Sequence, residues 1–193
     1  MKARSYLVLV LFLALPAALF AGSINGKVSG VSGVSVVYVD AVPGKTFTPP
    51  AQHFLMDQKG LLFQPHILAV PVGSTVDFLN SDSVQHNVFW PSVGSNKKAG
   101  HNLGTWPKGQ KHSFKFDLPG EVALLCNVHP EMSGYIIVVP TPYFAETGAD
   151  GSYKIKDVPD GSYSVTVWHE GAKSQSKKVT VSGEASLSFA ISK

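Results

Sequence analysis

Short β-branched runs, broken by turn residues every few positions, point this chain towards an all-β fold. Residues 34–39, 67–72, 75–79, 112–116, 122–125 and 135–139 are such runs, and 18 glycines and 13 prolines punctuate the 193 residues. Amphipathic helical periodicity is hard to find. The segments 36–39 and 136–139 are apolar without a break, as central strands are. Residues 92–107, with Gly, Asn, Lys and Pro, are expected to form a long loop.

The texture changes past Pro140. Asp150-Gly151 and Asp160-Gly161 each mark a turn that leads into a strand. Alternation is clean in Tyr163, Val165, Val167, then in Val179, Val181, and again in Leu187, Phe189, Ile191. A second, smaller sandwich is expected over 141–193, after a first domain over 22–140. At roughly 50 residues it is marginal alone, so it must pack on the first domain or borrow strands. Residues 24–40 are the candidate donor. Because sequential strands tend to pair locally, the simple tandem order is expected over an insertion.

The chain opens with Lys2 and Arg4, an apolar run over 6–20, and Leu19-Phe20-Ala21. That is the pattern of a secretory signal peptide (1–21) cleaved after Ala21, leaving a periplasmic or secreted protein. The apolar run is shorter than the ~20 residues of a membrane-spanning helix, and no second such stretch follows. No cysteine follows the run, so lipid attachment there is not expected. The net charge of +3 falls to about +1 once Lys2 and Arg4 are removed, and nothing in that balance calls for nucleic acid.

One cysteine in an exported chain is an oddity, since exported thiols are usually paired. Cys126 sits in Cys126-Asn127-Val128-His129-Pro130-Glu131-Met132, with His86 far upstream in Asp82-Ser83-Val84-Gln85-His86-Asn87. Taken singly, each has an ordinary explanation: a small buried thiol, a hydrogen-bonded histidine, a gap-filling methionine. Together, a thiolate, two imidazoles and a thioether are the donor set of a mononuclear blue-copper site, with soft sulfur suiting Cu(I) and imidazole holding Cu(II). Zinc is disfavoured, because its structural sites prefer cysteine-rich sets. A binuclear centre needs two bridging cysteines. No nucleophile-elbow motif or other catalytic constellation is present, so the chain is not expected to be an enzyme.

This loop resembles that of the amicyanin and plastocyanin group of cupredoxins, and its Cys-x2-His-Pro-x-Met form resembles amicyanin most. Phe63-Gln64-Pro65-His66-Ile67, Val70-Pro71-Val72-Gly73-Ser74-Thr75-Val76-Asp77-Phe78 and Asn80-Ser81-Asp82 are similar to the strands that lead to the first copper histidine there. Residues 141–193, through Asp150-Gly151-Ser152-Tyr153 and Val158-Pro159-Asp160-Gly161-Ser162-Tyr163, resemble a carboxypeptidase regulatory-like, transthyretin-like domain. Together they resemble exported bacterial proteins of the methylamine-utilisation type. The resemblance implies a Greek-key β-sandwich with one copper per chain. It makes His86, Cys126 and His129 equatorial ligands and Met132 the weak axial one. Asn87 is then expected to brace the Cys126 loop by a hydrogen bond, or else to be a plain turn residue. His129 is expected to reach the surface inside an apolar patch drawn from Pro130, Phe89, Trp90 and Pro91, unless those aromatics are core. The implied role is a soluble one-electron carrier serving a redox partner such as a c-type cytochrome or a dehydrogenase.

Other readings stay open. Glu131 in place of Met132 would give a less blue centre. His53, His66 and His101 with Met56 suggest a second copper site, but show no compact spacing. His169 has no expected site role. Lys97, Lys98, Lys108, Lys111 and Lys115 either steer an acidic partner or form a solvated face. The same ligands would serve a copper carrier or storage protein, and a non-redox structural or adhesion module is the third alternative.

Overall fold

The computed structural model describes residues 21–192. The expected signal segment lies outside them, except for Ala21. In chain order the strands are β1 (Ala21–Ser29), β2 (Ser35–Val39), β3 (Phe54–Gln58), β4 (Phe63–Gln64), β5 (Ile67–Pro71) and β6 (Ser74–Asn80). β7 (His86–Trp90), β8 (His101–Trp106), β9 (Lys111–Phe116), β10 (Gly120–Leu125) and β11 (Ser133–Val139) follow. The C-terminal part holds β12 (Phe144–Glu146), β13 (Ser152–Pro159), β14 (Gly161–His169), β15 (Gln175–Val181), β16 (Glu184–Ser186) and β17 (Phe189–Ala190). The only helical turn among the described residues is a 3-10 turn at Lys97–Ala99. The fold is all-β.

Four sheets result. β5-β11-β10-β7-β8 and β4-β3-β6-β9 form one sandwich. Its filling comes from inward positions such as Met56, Phe78, Val88, Trp90, Phe116, Leu124 and Ile136. The strand β11 runs parallel to β5 (Ile137 beside Ala69) and antiparallel to β10 (Leu125 beside Ser133), so it lies inside its sheet. The second sandwich pairs β13-β1-β16 with β12-β2-β14-β15, and β17 also pairs with β1. Ile24, Val37, Val39, Ile155, Val165, Val167 and Phe189 fill it. β1 threads close to its neighbours: a Cβ on Gly26 would run into the Leu187 carbonyl oxygen.

This pairing corrects the tandem order. β1 is antiparallel to β13, with Ile24 beside Ile155, and β2 is antiparallel to β14, with Val37 beside Val167. Residues 21–39 therefore belong with the C-terminal strands, and the first sandwich is inserted between β2 and β12. Local pairing loses because the C-terminal segment alone cannot close a core. Borrowed strands complete it, at the cost of one long loop closure that grows only slowly with length.

The expected loop over 92–107 is also corrected, because it contains β8. Its outward residues are polar and its strand lies at the sheet edge, so alternation is faint. Burial of Trp106 and hydrogen bonds from the Asn87 side chain to Asn102 and Gly104 hold it in place.

The outer face of β5 and β11 packs on the second sandwich. Ile67, Ala69, Ile137 and Val139 meet Val36 and Trp168 in one buried cluster. Trp168 Nε1 donates to Glu121 at 2.7 Å, and the Ala69 amide donates to Glu146 at 3.2 Å. At the rim, His66 Nε2 and the Glu170 carboxylate are 2.8 Å apart.

Candidate metal centre

Two pieces of β-sheet build the site. His86 opens β7 and is fully buried. Cys126 directly follows β10 and Met132 directly precedes β11, so the loop between these antiparallel strands has both ends pinned by the Leu125–Ser133 pair. The strand β7 lies next to β10, with Phe89 beside Leu125. The Met132 amide donates to the His129 carbonyl at 3.0 Å, which tightens the loop into a turn.

The structure brings His86, Cys126 and His129 together: their donor atoms all lie within 4.8 Å of one another. The two Nδ1 atoms face each other at 3.0 Å, with ring centroids 4.7 Å apart and planes at 62°. Cys126 is buried and His129 partly exposed, and Met132 lies fully buried in the same core cluster as Cys126. Glu131 is exposed and stands outside the donor group.

Asn87 links the two pieces. Its backbone amide donates to Cys126 Sγ at 3.4 Å, and its side-chain oxygen accepts the Asn127 amide at 3.3 Å. Its Nδ2 donates to Gly104 O at 2.7 Å and Asn102 Oδ1 at 2.9 Å, anchoring the ligand loop to β8.

Sequence reasoning missed Asp82. Its Oδ2 lies 2.8 Å from His86 Nε2, and the carboxylate also accepts the Gly60 and Leu61 amides at 2.7 and 2.9 Å. Burial alone would raise its pKa. The Leu61 and Gly60 amides and the His86 ring outweigh that and hold it down at about 2. As an ionised acceptor, Asp82 keeps the proton of His86 on Nε2 and leaves the Nδ1 lone pair facing the other donors. The Asn-Ser-Asp cluster at 80–82 was the available signal, since the Asp82 amide donates to Asn80 Oδ1 in an Asx turn.

The donor chemistry fits copper. Two converging imidazole nitrogens and a buried thiol, one of them oriented by a carboxylate, are a soft mixed set of the type copper takes in both oxidation states. The remaining expected residues are dispersed. His53 bonds Asp77, His66 bonds Glu170, His101 lies against Trp90 and Phe114, and Met56 is buried in the core. Of the two readings left open for Trp90, the structure gives core: it is buried and donates to the Ala99 carbonyl. Of the other expected patch residues, Pro130 and Pro91 are exposed and Phe89 is half-buried; Val84 and Val128, close in sequence to His86 and His129, are exposed too, as are Leu61 and Leu62. Lys111 and Lys115 are paired with Asp77 and Asp117, which weakens the steering cluster.

Residues 52–139 match the family model of copper binding proteins, plastocyanin/azurin family. Residues 141–188 match polysaccharide lyase family 4, domain II, a fibronectin-like module, where the sequence resembled a carboxypeptidase regulatory-like domain. Among individual proteins, amicyanin-alpha of Methylorubrum extorquens is 32% identical over 78 residues, covering 39% of this chain. The chain spans 63% of the length of that relative. Two solved structures of amicyanin mutants in the Cu(I) form, one of them at pH 4, are each 27% identical. They cover 45% and 46% of this chain and 81% and 84% of theirs, with TM-scores of 0.41 and 0.42.

Proposed function

We propose that this chain is an exported, periplasmic or secreted, one-electron carrier in which His86, Cys126, His129 and Met132 would hold a single copper. One observation carries the reading: a buried thiol and two imidazole nitrogens, one from β7 and one from the β10–β11 loop, converge within 4.8 Å, in a segment matching copper-binding proteins. Copper held there supplies Cu(II)/Cu(I) chemistry.

The chain's own residues do the rest. Asp82 fixes the His86 proton on Nε2, the Asn87 amide stabilises the thiolate sulfur, and Asn87 Oδ1 holds the loop that carries His129. The two sheets bury His86, Cys126 and Met132 away from water, which limits rearrangement on electron transfer. Partly exposed His129 is the route to a partner such as a c-type cytochrome or a dehydrogenase.

The test is the visible spectrum of the mature protein with one equivalent of Cu(II), beside Cys126→Ser. An intense thiolate-to-copper band, absent in the variant and stable to a chelator through repeated redox cycles, is expected. Rapid loss to the chelator would favour a copper carrier. No cysteine-dependent band would overturn the metal role.

A further inference from the structure

The turn between β3 and β4 is built unlike an ordinary solvent turn. Gly60 and Leu61 both hold left-handed backbone, at φ 67° and 59°. Leucine is a poor choice for that conformation, and glycine or asparagine the usual one. The side chains are also out of place for a water-facing turn: Leu61 is 40% exposed and Leu62 54%. The Lys59 amide closes the turn onto the Leu62 carbonyl at 3.0 Å. The next two amides, of Gly60 and Leu61, form a small anion-binding nest around Asp82.

The carboxylate is therefore shared. Gly60 N–H reaches Oδ1, while Leu61 N–H and His86 Nε2 both meet Oδ2. Three donors converge on one group, and one of them belongs to a residue of the proposed metal set. A displacement of the turn cannot leave the His86 contact untouched, because the same oxygen serves Leu61 and His86. Val84, two residues past Asp82, and Val128, beside His129, are also exposed, at 43% and 46%. The leucines thus stand on a turn fastened through Asp82 to one of the imidazoles.

We propose that Asp82 is a positioning residue coupling the 59–62 turn to His86, so that a shift of that turn is transmitted to the metal ligand. The proposal rests on the metal role of His86 argued above. It adds a mechanical link, carried by one carboxylate, between that turn and the ligand's orientation.

Two variants test the link from opposite ends. Asp82→Asn replaces one acceptor oxygen by an amide donor, so at least one of the three donors loses its acceptor. Gly60→Val changes neither Asp82 nor a ligand. A Cβ there meets nothing within 4 Å, so the first effect of the substitution is to drive the backbone out of the left-handed region. In the copper-free protein, amide exchange at Gly60 in Asp82→Asn and at Leu61 in both variants should accelerate by about tenfold or more, with the His86 ring nitrogen shifts displaced. In the copper-loaded protein, both variants should move the cysteine–copper band and the paramagnetic resonance parameters in the same direction. Asp82→Asn should also release copper to a chelator about 10–100-fold faster.

Gly60→Val with faster exchange at Leu61 but unchanged copper signals and unchanged His86 nitrogen shifts would overturn the coupling. Asp82→Asn with copper release and spectrum equal to wild type would overturn the positioning role. If wild type itself shows no Cys126-dependent band, the metal reading fails. The His86 nitrogen shifts of the copper-free Gly60→Val protein then decide the coupling alone.

Discussion

Trp168 is the residue on which the joint between the two sandwiches can be tested most directly. It is 5% exposed, lies 5.2 Å from the Tyr135 ring, packs among Val36, Ile67, Ala69, Ile137 and Val139, and donates to Glu121 at 2.7 Å. A buried tryptophan removes about 150–250 Å² from water, which at about 25 cal/mol per Å² is on the order of 4–6 kcal/mol. Truncation to alanine usually costs about 3–5 kcal/mol, since the surroundings relax in part. The hydrogen bond adds on the order of 1 kcal/mol, because Glu121 is exposed and regains water when its donor leaves. Trp168→Ala should therefore lose about 4 kcal/mol and Trp168→Phe about 1–2 kcal/mol. With a urea dependence of about 2 kcal/mol per molar, the alanine variant's midpoint falls by about 2 M. The assay is urea unfolding of the copper-free protein, followed by far-ultraviolet circular dichroism and by amide exchange in β11 and β14. Both strands should lose protection together. A loss below about 1 kcal/mol in Trp168→Ala would refute the argument, as would destabilisation of β14 with β11 unchanged.

Asn87→Ala removes the acceptor of the Asn127 amide and the donor to Asn102 and Gly104, so copper release should quicken about 10–100-fold with little change in overall content of β-structure; chelator competition checks it. Asp77 is largely buried, which raises its pKa, but hydrogen bonds from Lys111, Ser113 and His53 prevail and hold it at about 2, below its ordinary 3.8. A depressed folded pKa contributes stability that is full above about pH 4 and lost as pH falls through 2. Asp77→Asn should therefore cost about 1–2 kcal/mol at neutral pH after allowance for screening, and the gap to wild type should close in acid, as read from pH-dependent melting. Glu131→Gln should leave the copper spectrum unchanged, since the exposed carboxylate lies outside the donor group; a shifted band would bring Glu131 into the coordination sphere.

The fold class was legible because apolar alternation and Asp-Gly turns are local signals, and the runs at 36–39 and 136–139 do become interior strands. Insertion was not legible. Val36-Val37-Tyr38-Val39 is apolar on both faces, and nothing local says that Val37 turns into the second sandwich while Val36 turns to the joint. At the candidate site, the spacing of Cys126, His129 and Met132 is visible because a single tight loop delivers them. Asp82 was hidden because its role depends on amides of a turn formed by β3 and β4, which the sequence does not place beside it. The exposed leucines were hidden for the same reason: only the left-handed turn puts Leu61 and Leu62 in water.

β11 explains why a second sandwich sits where it does. Its inward residues Ile136 and Val138 pack in the core that holds Cys126 and Met132, while its outward residues Ile137 and Val139 pack against the second sandwich. Strand alternation makes this division automatic: a strand buried on both faces must find apolar cover on both. β10 repeats the arrangement, with Val122 and Leu124 inside and Glu121 outward to Trp168. The two strands whose ends fix the Cys126–Met132 loop are thus the ones held from outside by the inserted domain's host. Rigidity of that loop is what a site needs if its donors are to keep one geometry through a change of metal charge. The host sandwich supplies it through β10 and β11 without contributing any of the proposed ligands.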